Sequence, residues 1–143
     1  MSLKLTLEIM TPYGIIFSDE VDYVHVKGID GDLGILPEHQ PLFTSLKIDL
    51  VKYEKDGETK YIAVMGGFLD VFENKVSILS DCAELAENID VLRANRAKEE
   101  AQALLSEEVA KEQFDRIDKD MQKALARIKA AETIQSISNR TIR

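Results

Sequence analysis

All seven glycines and all three prolines of this 143-residue chain lie before residue 68, and from Ile89 to Arg143 there is neither. Glycine and proline punctuate turns and break helices, so a chain divided this way cannot be one kind of structure throughout. Before the hexapeptide Ile89-Asp90-Val91-Leu92-Arg93-Ala94 the residues read as short strands; after it they read as helix. The hexapeptide is the joint, and the spacing predicts two domains, 1–85 and 86–143.

In the front half, Leu3, Leu5, Leu7 and Ile9 alternate with Lys4, Thr6 and Glu8, the period of a half-buried strand. Ile15-Ile16-Phe17 opens a second apolar run, and Val21–Lys27 is rich in β-branched residues. Leu46, Ile48 and Leu50 alternate again. Asp56-Gly57 is a hairpin turn signal between Leu50–Glu54 and Tyr61–Val64. Phe68–Phe72, Asn74 and Val76–Leu79 make a last hairpin. Many short strands at close spacing predict an antiparallel β-sandwich.

Between Gly28 and Leu42 the pattern changes, with glycines at every third position, Gly28, Gly31 and Gly34. This is neither a dinucleotide fingerprint nor a phosphate-binding loop. Tight turns needing positive φ are the ordinary explanation. Asp30 and Asp32 alone make a weak calcium site. His25 and His39 have no companions at metal-ligand spacing. No set of nucleophile, base and orienting acid can be assembled, so the front half reads as a scaffold and no metal site is assigned.

Composition narrows the function classes. The net charge is −8, all of it carried through Glu84, where 7 basic residues face 15 acidic ones. The rest is balanced at 11 of each, and from Met121 onward five basic residues oppose Glu132 alone. Nucleic-acid binding would need a basic face on the folded domain, which argues against it. No apolar run nears the ~20 residues of a membrane span. Met1–Thr6 lacks a secretory pattern, and the single Cys82 allows no internal disulfide, both of which fit a reducing cytoplasm.

In the back half Asn88 or Asp90 is placed to cap a helix whose stripe is Ala94, Ala97, Ala101 and Leu104. Ser106 can cap a second helix over about residues 109–131, with Phe114, Ile117, Met121, Leu125 and Ile128 as its apolar stripe and a length of roughly 35 Å. A turn near Glu107 would fold the two into an antiparallel hairpin. A first helix offering mostly alanine buries little area, so the hairpin should hold by only a few kcal/mol.

A second stripe is basic: Arg116, Lys119, Lys123 and Arg127. Glu112 and Asp115 stand four residues before Arg116 and Lys119, the spacing of helical ion pairs. Lys123 has only Asp120 three residues away, and Arg127 has no acidic residue at three or four positions. Reflection across residue 107 sets Arg93 opposite residue 121, near the level of Lys123. Two readings stay open: a solvated face with Asp90 as cap and i, i+3 partner of Arg93, or an anion pocket.

The motif Gly31-Asp32-Leu33-Gly34-Ile35-Leu36-Pro37-Glu38-His39-Gln40-Pro41-Leu42, then Gly66-Gly67-Phe68-Leu69, then Ile89–Ala94, together resemble the epsilon subunit of bacterial F-type ATP synthases over essentially the whole chain. The resemblance implies a β-sandwich of about ten strands and a C-terminal helical hairpin. It implies a non-catalytic central-stalk subunit of a proton- or sodium-translocating synthase, peripheral to the cytoplasmic face of the bacterial plasma membrane and monomeric in isolation. Its sandwich would bind the gamma subunit and sit on the ring of c subunits, with Asp30, Asp32, Glu38 and His39 in the contact region. Its helices would extend toward the alpha and beta subunits and restrain ATP hydrolysis, with Arg116, Lys119, Lys123 and Arg127 facing an acidic segment there.

Some members of that family bind ATP as a regulatory ligand on the folded hairpin, with or without magnesium, through an Ile/Leu-Asp-x-x-Arg-Ala motif. Ile89, Asp90, Arg93 and Ala94 match it, and Glu84 and Arg127 match further positions. Lys123 and Glu100 stand where such members carry arginine, and lysine lacks the planar fork that grips a phosphate. The competing expectation is a free-standing β-sandwich adaptor that dimerises through its helices.

Overall fold

The computed structural model describes residues 3–105 and 111–141, with the backbone alone for 111, 112 and 135–141. The chain divides into two compact units, 1–85 and 86–143.

The first unit is an eight-stranded mixed sheet curled over its own core. Its strands are β1 Leu5–Thr11, β2 Gly14–Val21, β3 Tyr23–Gly28, β4 Gly31–Ile35, β5 Leu42–Lys55, β6 Glu58–Phe72, β7 Lys75–Leu79 and β8 Ala83–Leu85. They lie in the order β2-β1-β7-β6-β5-β3-β4, with β8 also on β6; β1 and β7 are parallel and the other pairs antiparallel. Strands far apart in this order meet across the core. The rings of Phe17 on β2 and Tyr53 on β5 lie 5.0 Å apart. The sheet therefore closes into a sandwich.

The expected alternation holds where it was clearest: Leu5, Leu7 and Ile9 are fully buried with Val24, Val26, Ile62, Leu69 and Ile78. Burying each such side chain stabilises by about 1.5–3 kcal/mol. The strand count is eight where the resemblance implied about ten, and stretches read as separate strands are continuous. Leu46–Leu50 and Leu50–Glu54 belong to one 14-residue strand, and Tyr61–Val64 and Phe68–Phe72 to one of 15 residues. β6 passes through Gly66 and Gly67 at φ 79° and 115° without losing its register on β5. A Cβ at Gly67 would stand 2.0 Å from the Leu79 carbonyl oxygen, so only glycine lets β7 approach there.

The second unit begins with a 3₁₀ turn, Ala86–Asn88, followed by α1 Val91–Leu105 and α2 Lys111–Thr141. α2 packs along α1 and reaches back to the 3₁₀ turn that precedes it, so the helices run antiparallel. The turn expected near Glu107 and the cap expected at Ser106 lie outside the described residues. α2 has 31 residues, about 46 Å at 1.5 Å each, and ends ten residues beyond the expected Ala131. Of the expected apolar stripe, Ile117, Met121 and Ile128 are half-buried, while Phe114 and Leu125 are 44% and 43% exposed. Every buried side chain among the described residues of this unit is an alanine, namely Ala86, Ala94, Ala101, Ala124, Ala126 and Ala130. Small side chains let helix axes approach closely, but each contributes little burial. Among the described residues no helix is long and apolar enough to cross a membrane.

Candidate functional site

The base of the hairpin is built by local backbone chemistry. The Ile89 amide donates to the Ala86 carbonyl at 3.3 Å, closing the 3₁₀ turn. One residue on, the Asp90 carboxylate accepts from the Arg93 amide at 3.1 Å, while the Asp90 carbonyl accepts the first helical bond from the Ala94 amide at 3.0 Å. Asp90 is thus the N-cap of α1, and its negative charge sits at the positive end of the helix dipole. The capping reading of Asp90 is realised; the Asp90–Arg93 side-chain pair is not, since among the described residues Arg93 has no ion-pair partner within 4.0 Å. Arg93 is exposed, Ala94 buried and Ile89 half-buried.

Lys123 and Arg127 stand one turn apart on α2, both half-buried and flanking the buried Ala124 and Ala126. Arg116 and Lys119 are exposed farther toward the start of α2. Among the described residues, Asp115 and Lys119 do not reach ion-pair distance, nor do Lys123 and Asp120; the Glu112 side chain lies outside them. Glu84 belongs to the first unit, where β8 sets it opposite Ala63, with its Oε1 3.9 Å from Cys82 Sγ. Glu100 is exposed on α1. Arg93 and Lys123 are therefore cations without a carboxylate at ion-pair distance among the described residues.

The expected contact region falls into two places. β4 separates Asp30, in the β3–β4 turn, from Glu38 and His39, and its five residues span about 16 Å. Asp32 is already engaged: its Oδ2 accepts from Lys27 Nζ at 2.7 Å and lies 3.7 Å from His25 Nε2. The Lys27 hydrogen bond holds the Asp32 carboxyl below the usual carboxylate value. Of the three spaced glycines only Gly31 has positive φ, at 136°. Gly28 and Gly34 serve close approach instead; a Cβ at Gly34 would stand 2.6 Å from the Tyr23 hydroxyl.

Sequence reasoning missed an apolar row on the outer face of the sandwich. Strand register aligns Ile15 with Met10, Met10 with Leu79, and Leu79 with Phe68. Ile15 is 60% exposed, Phe68 48% and the neighbouring Phe43 67%, and Phe43 stacks on Phe68 with centroids 5.6 Å apart. A cleft of about 390 Å³ opens beside the row, lined in part by Pro12, Phe68, Leu79 and Asp81. The signal was present: Phe68-Leu69, Val71-Phe72 and Ile78-Leu79 are adjacent apolar pairs, and a strand alternates faces, so both faces must be apolar.

Such a chain, with a sandwich exposing an apolar face and a hairpin of two helices, has the surface of a binding protein. The ATP synthase delta/epsilon chain β-sandwich domain matches residues 4–86. The ATP synthase epsilon chain of Desulforamulus reducens is 43% identical over 132 residues, 92% of this chain and 100% of the relative. That of Nitratidesulfovibrio vulgaris is 40% identical over 129 residues, 90% and 96%. A chain of the Euglena gracilis mitochondrial ATP synthase structure (OSCP/F1/c-ring) shares the fold, with TM-score 0.74 at 21% identity over 86% of this chain and 78% of that one. The chain belongs to the ATP synthase epsilon chain family, the non-catalytic epsilon subunits of F-type ATP synthases.

Proposed function

We propose that this chain is a central-stalk subunit whose sandwich docks to the gamma subunit and the ring of c subunits, and whose hairpin restrains ATP hydrolysis by leaving its folded form. The observation that carries this reading is that alanines are the fully buried side chains of the hairpin among the described residues, with its larger apolar side chains half-buried at most. Helices held by such small contacts separate at a cost of only a few kcal/mol. The apolar row supports docking to gamma, because contiguous exposed apolar side chains mark a surface for a partner. Asp30, Glu38 and His39, exposed or half-buried in turns and loops, support polar contact with the ring. Extended α2 would present Arg116, Lys119, Lys123 and Arg127 to an acidic segment of the alpha and beta subunits. The complex would place the chain at the cytoplasmic face of the membrane.

ATP is the second part of the reading. Bound to the folded hairpin, it would be held by the Ile89–Ala94 joint with Lys123 and Arg127, and the cations would take the charge of its phosphates, with or without magnesium. A ligand at 100 times its Kd stabilises the bound state by about 2.7 kcal/mol, enough to hold a hairpin of this strength closed.

The test compares ATP hydrolysis by the assembled synthase carrying the full chain or a chain ended after Leu85. Truncation should raise hydrolysis, and ATP should relieve restraint in the full chain alone. Equal rates at every ATP concentration would remove the regulatory reading. Exposed Leu92, Leu104, Phe114 and Leu125 favour one other possibility, self-association through the helices. Sedimentation of the purified chain as a monomer would dispose of it.

A further inference from the structure

Glu38 has φ 66°, in the left-handed region that residues bearing a Cβ rarely occupy. Its side chain is exposed, so packing of Glu38 does not hold it there. Such a backbone persists only where its surroundings over-determine it. Pro37 and Pro41 narrow the segment from both sides. Outside the strand ladders and among the described residues, one hydrogen bond ties residues 36–41 to the rest of the sandwich: the Glu38 amide donates to Asn74 Oδ1 at 2.6 Å, across 36 positions of sequence.

Asn74 is itself firmly placed. With Glu73 at φ 46° and Asn74 at φ 63°, the two residues form the tight turn between β6 and β7. The Asn74 carbonyl accepts from the Thr6 amide at 2.8 Å, which pins the turn to the start of β1. The main chain is thus held by two elements, and the side chain is the arm that reaches the loop. Asparagine suits both tasks, because it tolerates the left-handed region and carries an acceptor; glycine has the first property and lacks the second.

We propose that Asn74 is a positioning residue, which holds the Glu38 backbone in its left-handed conformation and so aims Glu38 and His39 at their partner. The aiming half rests on the contact reading proposed above; the holding half stands on this chain alone. Asn74 would act without touching the partner.

The experiment uses the full chain with Asn74→Gly, Asn74→Asp and Glu38→Ala, and two readouts. Glycine keeps the positive φ of the turn while removing the acceptor, and aspartate restores the acceptor. Amide hydrogen exchange at Glu38 in the free chain should quicken about fivefold in Asn74→Gly and return in Asn74→Asp, the size expected for one hydrogen bond. Affinity for synthase particles stripped of this chain should fall in Asn74→Gly and Glu38→Ala, and recover in Asn74→Asp. Unchanged Glu38 exchange in Asn74→Gly overturns the proposal outright. Faster exchange with unchanged affinity, while Glu38→Ala binds more weakly, overturns the aiming role. Unchanged affinity in Glu38→Ala overturns the contact reading and the aiming with it, and exchange still decides the holding.

Discussion

Asp90→Ala separates the two roles that converge on the joint. The substitution removes the Oδ1 acceptor 3.1 Å from the Arg93 amide and leaves the backbone bond from Ala94 to the Asp90 carbonyl in place. Loss of an aspartate N-cap costs about 1 kcal/mol, within a range of roughly 0.5–2. That figure is a large share of what an alanine-packed hairpin has available. It corresponds to about a fivefold shift in the opening equilibrium of the first turn of α1. Amide exchange at Arg93 and Ala94 in the nucleotide-free chain measures it directly. Asp90→Asn is the control, because asparagine caps about as well as aspartate while the charge is gone. Calorimetry with ATP then divides the roles. If the carboxylate matters to the nucleotide, Asn and Ala both weaken binding; if capping is its whole function, Asn binds like the native chain. Arg93 and Ala94 exchange unchanged in Asp90→Ala would refute the capping argument, whatever ATP does.

Three further outcomes are expected. Gly67→Ala, which combines a positive φ with a Cβ 2.0 Å from the Leu79 carbonyl oxygen, should destabilise the sandwich by about 3 kcal/mol or more in urea titration, while Gly57→Ala, with nothing within 4 Å, should cost about 1; equal effects would defeat the close-approach account. Leu69→Ala, in the centre of the core, should cost about 2–5 kcal/mol in the same titration, and a loss under about 1 would mean the site collapses freely. Asp32, Asp19 and Asp22 are held below the ordinary 3.8 chiefly by hydrogen bonds from Lys27, from Lys55 and from the Asp56 amide. A depressed carboxylate stabilises the fold above its unfolded pKa, and this is lost as pH falls through the folded value, so the acid limb of stability should steepen below about pH 4. The partner lysines are raised above 10.5, so their contribution persists until the pH exceeds that value. Asp32→Asn should flatten the acid limb, and an unchanged slope would contradict the assignment.

Much of the architecture was legible because local rules and global fold agree. Alternation placed Leu5, Leu7 and Ile9 in the core, and Asp56-Gly57 closes a hairpin with Asp56 at φ 52°. Asp90 caps α1 as its residue type suggests. Legibility failed where one residue had two duties. Gly66 and Gly67 look like a break between strands, yet Gly67 is required by the close approach of a neighbouring strand and Gly66 by its positive φ of 79°. Phe114, Ile117, Met121, Leu125 and Ile128 form the most regular apolar stripe, but periodicity reports a face without saying what covers it. The candidate residues Asp30 and Asp32 look equivalent in sequence, whereas Lys27 engages Asp32 through a cross-strand pairing.

By itself the sequence determined the division at Ile89–Ala94, the element types on each side, the capping residue and the family, since each depends on neighbours within a few positions or on contiguous motifs. Tertiary structure alone decided which glycines make turns and which make room, and how β5 and β6 run unbroken. It also decided which apolar residues stay exposed and that Asn74 reaches Glu38. Those properties depend on atoms brought together from distant positions, with donor and acceptor 36 positions apart in the last case. Local pattern carries no information about which distant partner a strand or side chain will meet; register and packing supply it.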